Sequence, residues 1–138
     1  MSSSKIRFAA VAGGVLLATA FVLPTSSAMA SGRSCQVEAG NLGDSCVAIS
    51  GSGLHVNSVV GSYENLTASL KSDVHIELSG PNGLIKDCAQ VNVAGNATTT
   101  CTWAPNANEA SGNYCTTTWQ YGSGIYTDIG HACLDVHS

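Results

Sequence analysis

Hydrophobic and polar residues alternate in short runs along most of the chain beyond residue 30. In the run 74–78, the aliphatic residues Val74, Ile76 and Leu78 are separated by single polar residues. Alternation with a period of two is typical of a β-strand that has one buried face and one solvated face. We therefore predict strands here and in the similar runs 54–60, 84–93, 97–103, 113–121 and 125–136, the last broken near Gly130.

Glycine-rich turns separate these runs, and the clearest one spans residues 79–83 around Pro81. Six or seven short strands between such turns predict an all-β protein, an antiparallel β-sandwich that is immunoglobulin-like or jelly-roll-like. One segment favours a helix instead, because Tyr63, Leu66 and Leu70 are spaced at i, i+3 and i+7 behind Ser62. A short helix over 62–71 is therefore the alternative for that segment.

Residues 111–115 resemble the D-x-G-x-Y-x-C stretch of immunoglobulin domains. Here Tyr114 directly precedes Cys115, whereas the immunoglobulin tyrosine stands two residues before its cysteine. Neighbouring side chains on a strand point to opposite faces. We therefore expect Tyr114 and Cys115 to face opposite ways and do not predict a tyrosine corner.

The first thirty residues have the organisation of a signal peptide. Lys5 and Arg7 precede an apolar run of 16 residues, 8–23, and Ala28-Met29-Ala30 fits the A-x-A cleavage pattern. The run is shorter than the roughly 20 residues of a membrane span, and it contains two glycines. We predict cleavage after Ala30, secretion, and no membrane association of the mature chain 31–138.

The mature chain divides, on composition, into two parts. Residues 31–53 are polar and glycine-rich and end in a Ser-Gly-Ser-Gly joint, which predicts a polar N-terminal arm with a local disulfide. The β-sandwich domain would then span 54–138. The alternative is that this segment is the first hairpin of the sandwich, with Val47 and Ile49 paired into a sheet.

The six cysteines predict three disulfides, because an even number in a short exported chain without a C-x-x-C pair is typical of a disulfide framework. The segments 35–46 and 88–101 echo each other: both carry Gln-Val, then Ala-Gly-Asn, then four residues and a cysteine. A Gly-Asn hairpin turn in each would place the flanking cysteines opposite one another. A similar turn at 122–124 lies between the last two cysteines. The predicted pairs are Cys35 with Cys46, Cys88 with Cys101, and Cys115 with Cys133.

The net charge and the absence of catalytic motifs exclude several classes of function. The mature chain has three basic residues and nine carboxylates, a formal net charge of −6. Nucleic acids and anionic membranes require clustered lysine and arginine, so neither is a predicted partner. The sequence lacks G-x-S-x-G and H-E-x-x-H motifs, and bridged cysteines leave no free thiol. We predict no catalytic residue, no cofactor and no enzyme.

Two histidines and an aspartate near the C-terminal end form a row of candidate metal ligands. His131, Asp135 and His137 share one face of the predicted last strand. Along a strand, however, the two histidines are roughly 20 Å apart, too far to share one ion. No metal site is therefore predicted.

Aromatic side chains are the candidate binding residues. They lie in the last third of the chain, where exposed rings would offer rigid contact surfaces to a protein or to sugar rings, and buried ones would belong to the core. The candidates are Trp103, Tyr114, Trp119, Tyr121 and Tyr126.

These observations favour a secreted, non-catalytic protein-binding module that acts as an adaptor in an extracellular assembly or as an inhibitor of a secreted enzyme. The alternatives are a carbohydrate or cell-wall binding module and a small hydrolase or toxin. In its export segment, its short polar arm and its disulfide-bonded β domain, the chain is loosely similar to the small adaptor subunit of Streptomyces umbrella toxin particles. The likeness is one of size and arrangement, and it implies an extracellular protein partner in an assembly such as an antibacterial toxin particle. No residue role is carried over.

Overall fold

A computed structural model describes residues 31–138, and within this range it contains ten β-strands and no helix. The predicted signal peptide, 1–30, lies outside the described residues. The strands are β1 (Gly32–Val37), β2 (Gly43–Ser52), β3 (His55–Asn65), β4 (Lys71–Gly80), β5 (Gly83–Asp87), β6 (Val91–Val93), β7 (Thr98–Trp103), β8 (Ala107–Asn108), β9 (Gly112–Gly122) and β10 (Ile125–Val136).

The strands form two antiparallel sheets of five strands each. The first sheet has the order β1-β2-β3-β7, with β8 also paired to β3. The second has the order β10-β9-β4-β5, with β6 also paired to β4. The prediction of an all-β sandwich with three disulfides is confirmed.

The connections between the sheets follow the immunoglobulin pattern. After β3 the chain crosses to the second sheet, β7 returns to pair with β3, and β9 crosses again to pair with β4. Tyr114, near the start of β9, is buried and its hydroxyl donates a 2.9 Å hydrogen bond to the Ala110 carbonyl. This is the backbone contact of a tyrosine corner, so our expectation that the sequence spacing excludes one is wrong.

The core lies between the sheets and is built from the alternating positions. Val47, Val59 and Tyr63 of the first sheet pack with Ile76 and Leu78 of the second. All five are buried, which confirms the inward face predicted for the run 74–78. Because the aliphatic residues of β4 point inward, their polar neighbours are left on the outer face of the second sheet.

Residues 31–53 belong to the sandwich. Strand β2 pairs with β1 on one side and with β3 on the other, and Val47 and Ile49 are buried in the core. The Ser-Gly-Ser-Gly segment is the end of β2 and its turn into β3. The segment is therefore the first hairpin of the sandwich and not a separate arm.

All three predicted disulfide pairs are present, but only two of them join opposite strands of a hairpin, as predicted. Cys35 and Cys46 lie opposite each other in one hairpin, and Cys115 and Cys133 do so in another. Cys88 and Cys101 instead connect the two sheets. The Gly-Asn turn between them leads from β6 in the second sheet to β7 in the first, which makes the predicted hairpin wrong.

This inter-sheet bridge also interrupts the strand predicted over 84–93. The chain forms β5, leaves the sheet at Cys88 and pairs again as β6. The Cys88 amide donates to the Ile76 carbonyl at 3.0 Å, which holds the cysteine beside β4.

The helix considered for 62–71 does not form, because Asn65 organises a loop at that point. The Asn65 side chain is fully buried, and its amide donates to the carbonyls of Ser69 and Val93 at 2.7 and 3.1 Å. Its Oδ1 accepts from the Thr67 amide and hydroxyl at 3.1 and 2.8 Å. These bonds replace the hydrogen bonds that a helix would have made.

The last strand bends where the sequence predicted a break. A β-bulge lies between Asp128 and Gly130, and the Gly130 amide donates to Asp128 Oδ1 at 2.8 Å. The Ser45 side chain packs where a Gly130 side chain would stand, which requires glycine there. Over residues 31–138, no helix is long and apolar enough to cross a membrane.

Candidate functional site

The outer face of the second sheet brings together side chains that are distant in sequence. On β4, His75 and Glu77 point away from the aliphatic core. The strand register places His75 opposite Trp119 of β9 and Glu77 opposite Asp87 of β5. Three neighbouring strands therefore contribute polar or aromatic groups to one place on the sheet.

These residues line a cleft of about 300 Å³, which we call the outer cleft: His75, Glu77, Asp87, Trp119 and Tyr126. The lining consists of two carboxylates, two aromatic rings and one imidazole. Its lining includes no lysine or arginine. The outer cleft is thus an acidic site bordered by aromatic surface.

His75 occupies the floor of the outer cleft and is only 9% exposed. Its Nε2 lies 3.8 Å from Glu77 Oε1 and 3.7 Å from Asp87 Oδ1. Its Nδ1 is buried and has no hydrogen-bond partner among the residues that the structure describes. The Tyr126 ring packs edge-on against the imidazole, with the ring centroids 4.8 Å apart. The imidazole is therefore held by packing, with Nε2 directed at the carboxylates.

Trp119 positions the neighbouring carboxylate. Its indole Nε1–H donates a 2.8 Å hydrogen bond to Glu77 Oε2. This leaves Oε1 as the Glu77 oxygen that faces His75. Trp119 is partly buried, so it serves as a wall of the outer cleft rather than as a freely exposed ring.

Two of the predicted binding residues are exposed at the end of the β9–β10 hairpin. Tyr121 and Tyr126 are 40% and 50% exposed, and their ring centroids are 5.0 Å apart. Ile125, at the turn, is 64% exposed. We call these three residues the hairpin patch. The Tyr126 hydroxyl donates to Gln90 Oε1 at 2.8 Å, which ties the patch to the loop between β5 and β6.

The other two aromatic candidates lie elsewhere. Trp103 and Tyr114 stack on each other with their centroids 6.4 Å apart, and Tyr114 is buried. Burial, with a smaller contribution from the charge of Glu109, raises the pKa of Tyr114 above its ordinary value. The core alternative therefore describes Tyr114, and Trp103 packs against the same core.

His75, Glu77 and Asp87 are not among the binding residues predicted from the sequence. A signal for them exists, because the turn at 79–83 joins two predicted strands and a hairpin there sets Glu77 opposite Asp87. The position of Trp119 beside His75 could not be predicted in this way, because β9 reaches β4 through a long connection. Pairing of distant strands must be known before this part of the site can be assembled.

Among residues 31–138, three clusters of potential metal ligands occur. Two of them, around Cys35 and Cys46 and around Cys115 and Cys133, rely on sulfurs that are already in disulfides. The third is His75, Glu77 and Asp87. In the histidine row of the last strand, His131 contacts Thr117 at 2.9 Å, and His137 pairs with Asp135 at 3.2 Å.

Comparison with protein-family models, with curated proteins and with solved structures found no match to this chain.

Proposed function

We propose that the protein is a secreted, non-catalytic protein-binding module that acts as an adaptor or an inhibitor through the hairpin patch. The observation that carries this proposal is the exposure of Tyr121, Ile125 and Tyr126 together at one end of the molecule. Tyrosine is enriched in binding hot spots, because its ring buries a large area at a small cost in side-chain entropy.

Two bonds restrain the hairpin that carries the hairpin patch, one beside the patch and one farther along its strands. The Cys115–Cys133 disulfide joins the two strands that carry it, and Tyr126 is hydrogen-bonded to Gln90. A surface that is already ordered before binding loses less entropy when a partner docks. This arrangement suits a fixed recognition surface.

Charge favours a basic partner. Residues 31–138 include nine carboxylates and three basic residues. Two of the basic side chains are already engaged, Lys71 by Glu38 and Lys86 by the Thr102 carbonyl. A partner with a positive surface would therefore associate faster and with a marked dependence on salt. Three disulfides support an extracellular location for that encounter.

The test is affinity capture from the culture supernatant of the producing organism, with identification by mass spectrometry. We expect the wild-type protein to retain one protein partner in stoichiometric amount. The double variant Tyr121→Ala, Tyr126→Ala should bind that partner at least about tenfold more weakly, because hot-spot truncations commonly cost 2 kcal/mol or more.

The matched control removes two exposed apolar side chains from another part of the surface. Leu66→Ala, Leu70→Ala lies in the loop between β3 and β4, and this variant should capture the partner as the wild type does. Equal capture by all three proteins, or no retained protein at all, would contradict the proposal.

A second candidate function is carbohydrate binding. It is favoured by the two exposed tyrosine rings next to Trp119 and the carboxylates of the outer cleft, since sugar rings pack on aromatic faces and their hydroxyls bond to carboxylates. Retention of the wild type on an insoluble polysaccharide, lost in the double tyrosine variant and kept in the leucine control, would favour this function over protein binding.

A further inference from the structure

We infer that His75 Nε2, Glu77 Oε1 and Asp87 Oδ1 form a binding site for a divalent transition-metal ion, with Zn²⁺ as its probe. Tyr126 of the hairpin patch packs against His75, but none of the three metal ligands belongs to the patch. Metal binding at this site does not require a protein partner. It goes beyond the proposed function.

The three ligand atoms are already close together. They lie within 4.8 Å of one another, and Nε2 is 3.8 and 3.7 Å from the two carboxylate oxygens. Bonds of about 2.1 Å in a tetrahedral zinc site separate neighbouring ligand atoms by about 3.4 Å. The two separations from Nε2 would have to contract by only a few tenths of an ångström, and the separation between the two carboxylate oxygens, at most 4.8 Å, by up to about 1.4 Å. The Glu77 and Asp87 side chains, which are 32% and 54% exposed, have room for this movement.

The hydrogen-bonding state of His75 is an independent observation that points to a ligand. The residue is nine-tenths buried, yet neither of its ring nitrogens makes a hydrogen bond within 31–138. The fully buried Nδ1 would stay without a partner when an ion is bound, so the observation that points to a ligand concerns the other nitrogen: Nε2 makes no hydrogen bond with a described group and faces two carboxylates that it does not reach. Nε2 is the nitrogen that points at the two carboxylates.

The electrostatics of the site agree with this reading. Glu38, another partly buried glutamate, is neutralised by Lys71 at 2.7 Å. Glu77 and Asp87 have only His75 as an ion-pair partner among the described residues, at distances too long for a hydrogen bond. A divalent cation would neutralise both carboxylates at once.

The donor set fits a first-row metal. Imidazole nitrogen is a common ligand of zinc, copper, iron and nickel, and carboxylate oxygens complete many such sites. Three protein ligands leave a fourth position, which would face the outer cleft and be open to water. Clusters built only from carboxylates would instead favour calcium or magnesium.

Groups around the ligands set the expected affinity. The Trp119 indole holds Glu77 through Oε2 and leaves Oε1 for the ion, and the Tyr126 ring packs against the imidazole. His75 Nδ1, by contrast, has no acceptor among the described groups. Loss of such an outer partner typically weakens metal binding by about 10- to 100-fold. We therefore expect a micromolar rather than a nanomolar dissociation constant.

The test is titration of the metal-free, disulfide-bonded protein, without a histidine tag, with ZnCl₂ in a calorimeter. A parallel titration with CoCl₂ follows the fluorescence of a Trp103→Phe variant, in which Trp119 is the single tryptophan. We expect one ion per chain and quenching of Trp119, because its indole is hydrogen-bonded to a ligand.

Two variants report on the ligands, and one serves as the control. His75→Ala should abolish binding, and Asp87→Asn, a change at a largely exposed side chain, should weaken it at least about tenfold without loss of the fold. Asp135→Asn, His137→Ala removes an exposed histidine–carboxylate pair and should leave binding unchanged. Absence of heat and quenching in the wild type, or a loss in the control that equals the loss in Asp87→Asn, would overturn the inference.

Discussion

Single buried polar side chains determine several local features of this sandwich. At one end of the molecule the Tyr63 hydroxyl donates to Glu38 Oε2 at 2.7 Å, and Lys71 Nζ contacts both Glu38 oxygens at 2.7 Å. Lys71 also lies 5.6 Å from the centroid of the Tyr63 ring. Burial raises the pKa of Tyr63 far above its ordinary value of 10.0, and the hydrogen bond to Glu38 and its charge raise it further. Tyr63 therefore stays protonated in the folded state at a pH at which a free tyrosine ionises.

This shift predicts a loss of stability in alkali. Above about pH 10 the unfolded chain releases the Tyr63 proton while the folded chain keeps it. The unfolded state then binds fewer protons, so the free energy of unfolding falls as pH rises, by up to about 1.4 kcal/mol per pH unit for one tyrosine. Urea unfolding at a series of pH values between 8 and 11 measures this fall in the free energy of unfolding.

Tyr63→Phe is the control for that prediction. Loss of the hydrogen bond to Glu38 should lower stability near neutral pH by about 1 to 3 kcal/mol. Its stability should then decline less steeply above pH 10 than that of the wild type, with Tyr114 accounting for part of the remaining decline. Parallel curves for the two proteins would show that Tyr63 does not carry the effect.

At the scale of strands and hairpins, the three disulfides have different positions. Cys35–Cys46 and Cys115–Cys133 each join two strands that are already hydrogen-bonded, whereas Cys88–Cys101 joins the two sheets. Cys101 is also buried in the core, while Cys35 is exposed on the outermost strand of the first sheet. The three bridges should therefore contribute differently to the free energy of unfolding, because the side chains packed around them differ.

We expect Cys88→Ala, Cys101→Ala to destabilise the protein more than Cys35→Ala, Cys46→Ala does. Closure of loops this short is worth about 3 kcal/mol in either case, so chain entropy alone predicts similar losses. Cys46 is also buried, but only Cys101 and Cys88 pack in the core between the sheets, so the first pair loses core packing and the link between the sheets, which adds a cavity cost of about 1 kcal/mol or more. The urea midpoints of the two variants measure this difference. An equal or larger loss of stability in Cys35→Ala, Cys46→Ala would contradict the prediction.

The strands were predictable from sequence where a residue's role is local. Alternation identified β4, β9 and β10, and the glycine in the middle of β10 marked its bulge. Residues with non-local roles were misjudged. Asn65 ends β3 because carbonyls from Val93 and Ser69 converge on its amide, and no periodicity reveals that convergence.

The candidate site shows the same division. Exposure of Tyr121 and Tyr126 follows from their place beside a hairpin turn, which the Gly-Ser-Gly segment indicated. The burial of Tyr114 and the meeting of His75 with Trp119 depend on how β9 crosses between sheets. That crossing is a property of the whole topology, so no single segment of the sequence predicts it.

At the scale of the whole molecule, the two long sides of the sandwich are closed by different means. On one side β1 packs against β10: Leu134 covers Gly32, and the His131 amide donates to Gln36 Oε1 at 3.0 Å. On the other side Cys88–Cys101 ties the second sheet to the first. The N-terminal hairpin thus completes the first sheet and also covers the last strand.

Deletion of residues 31–53 should therefore unfold the protein. It removes β1 and β2, takes Val47 and Ile49 out of the core and exposes the hydrogen-bonding edge of β3. We expect loss of the near-ultraviolet circular dichroism signal and of the cooperative thermal transition. Deletion of residues 31–34 alone, which keeps Cys35, should preserve both. A folded 54–138 fragment would show that the hairpin is a dispensable addition.

The pairing of each cysteine with the next one along the chain bears on how the protein matures. No bridge encloses or crosses another. On the proposed export route, the chain would emerge from a translocation channel N-terminus first and present its thiols in the order in which they must join. An oxidant that couples thiols as they appear would generate the native set directly, so rapid oxidation should not trap scrambled isomers and an isomerase should be unnecessary.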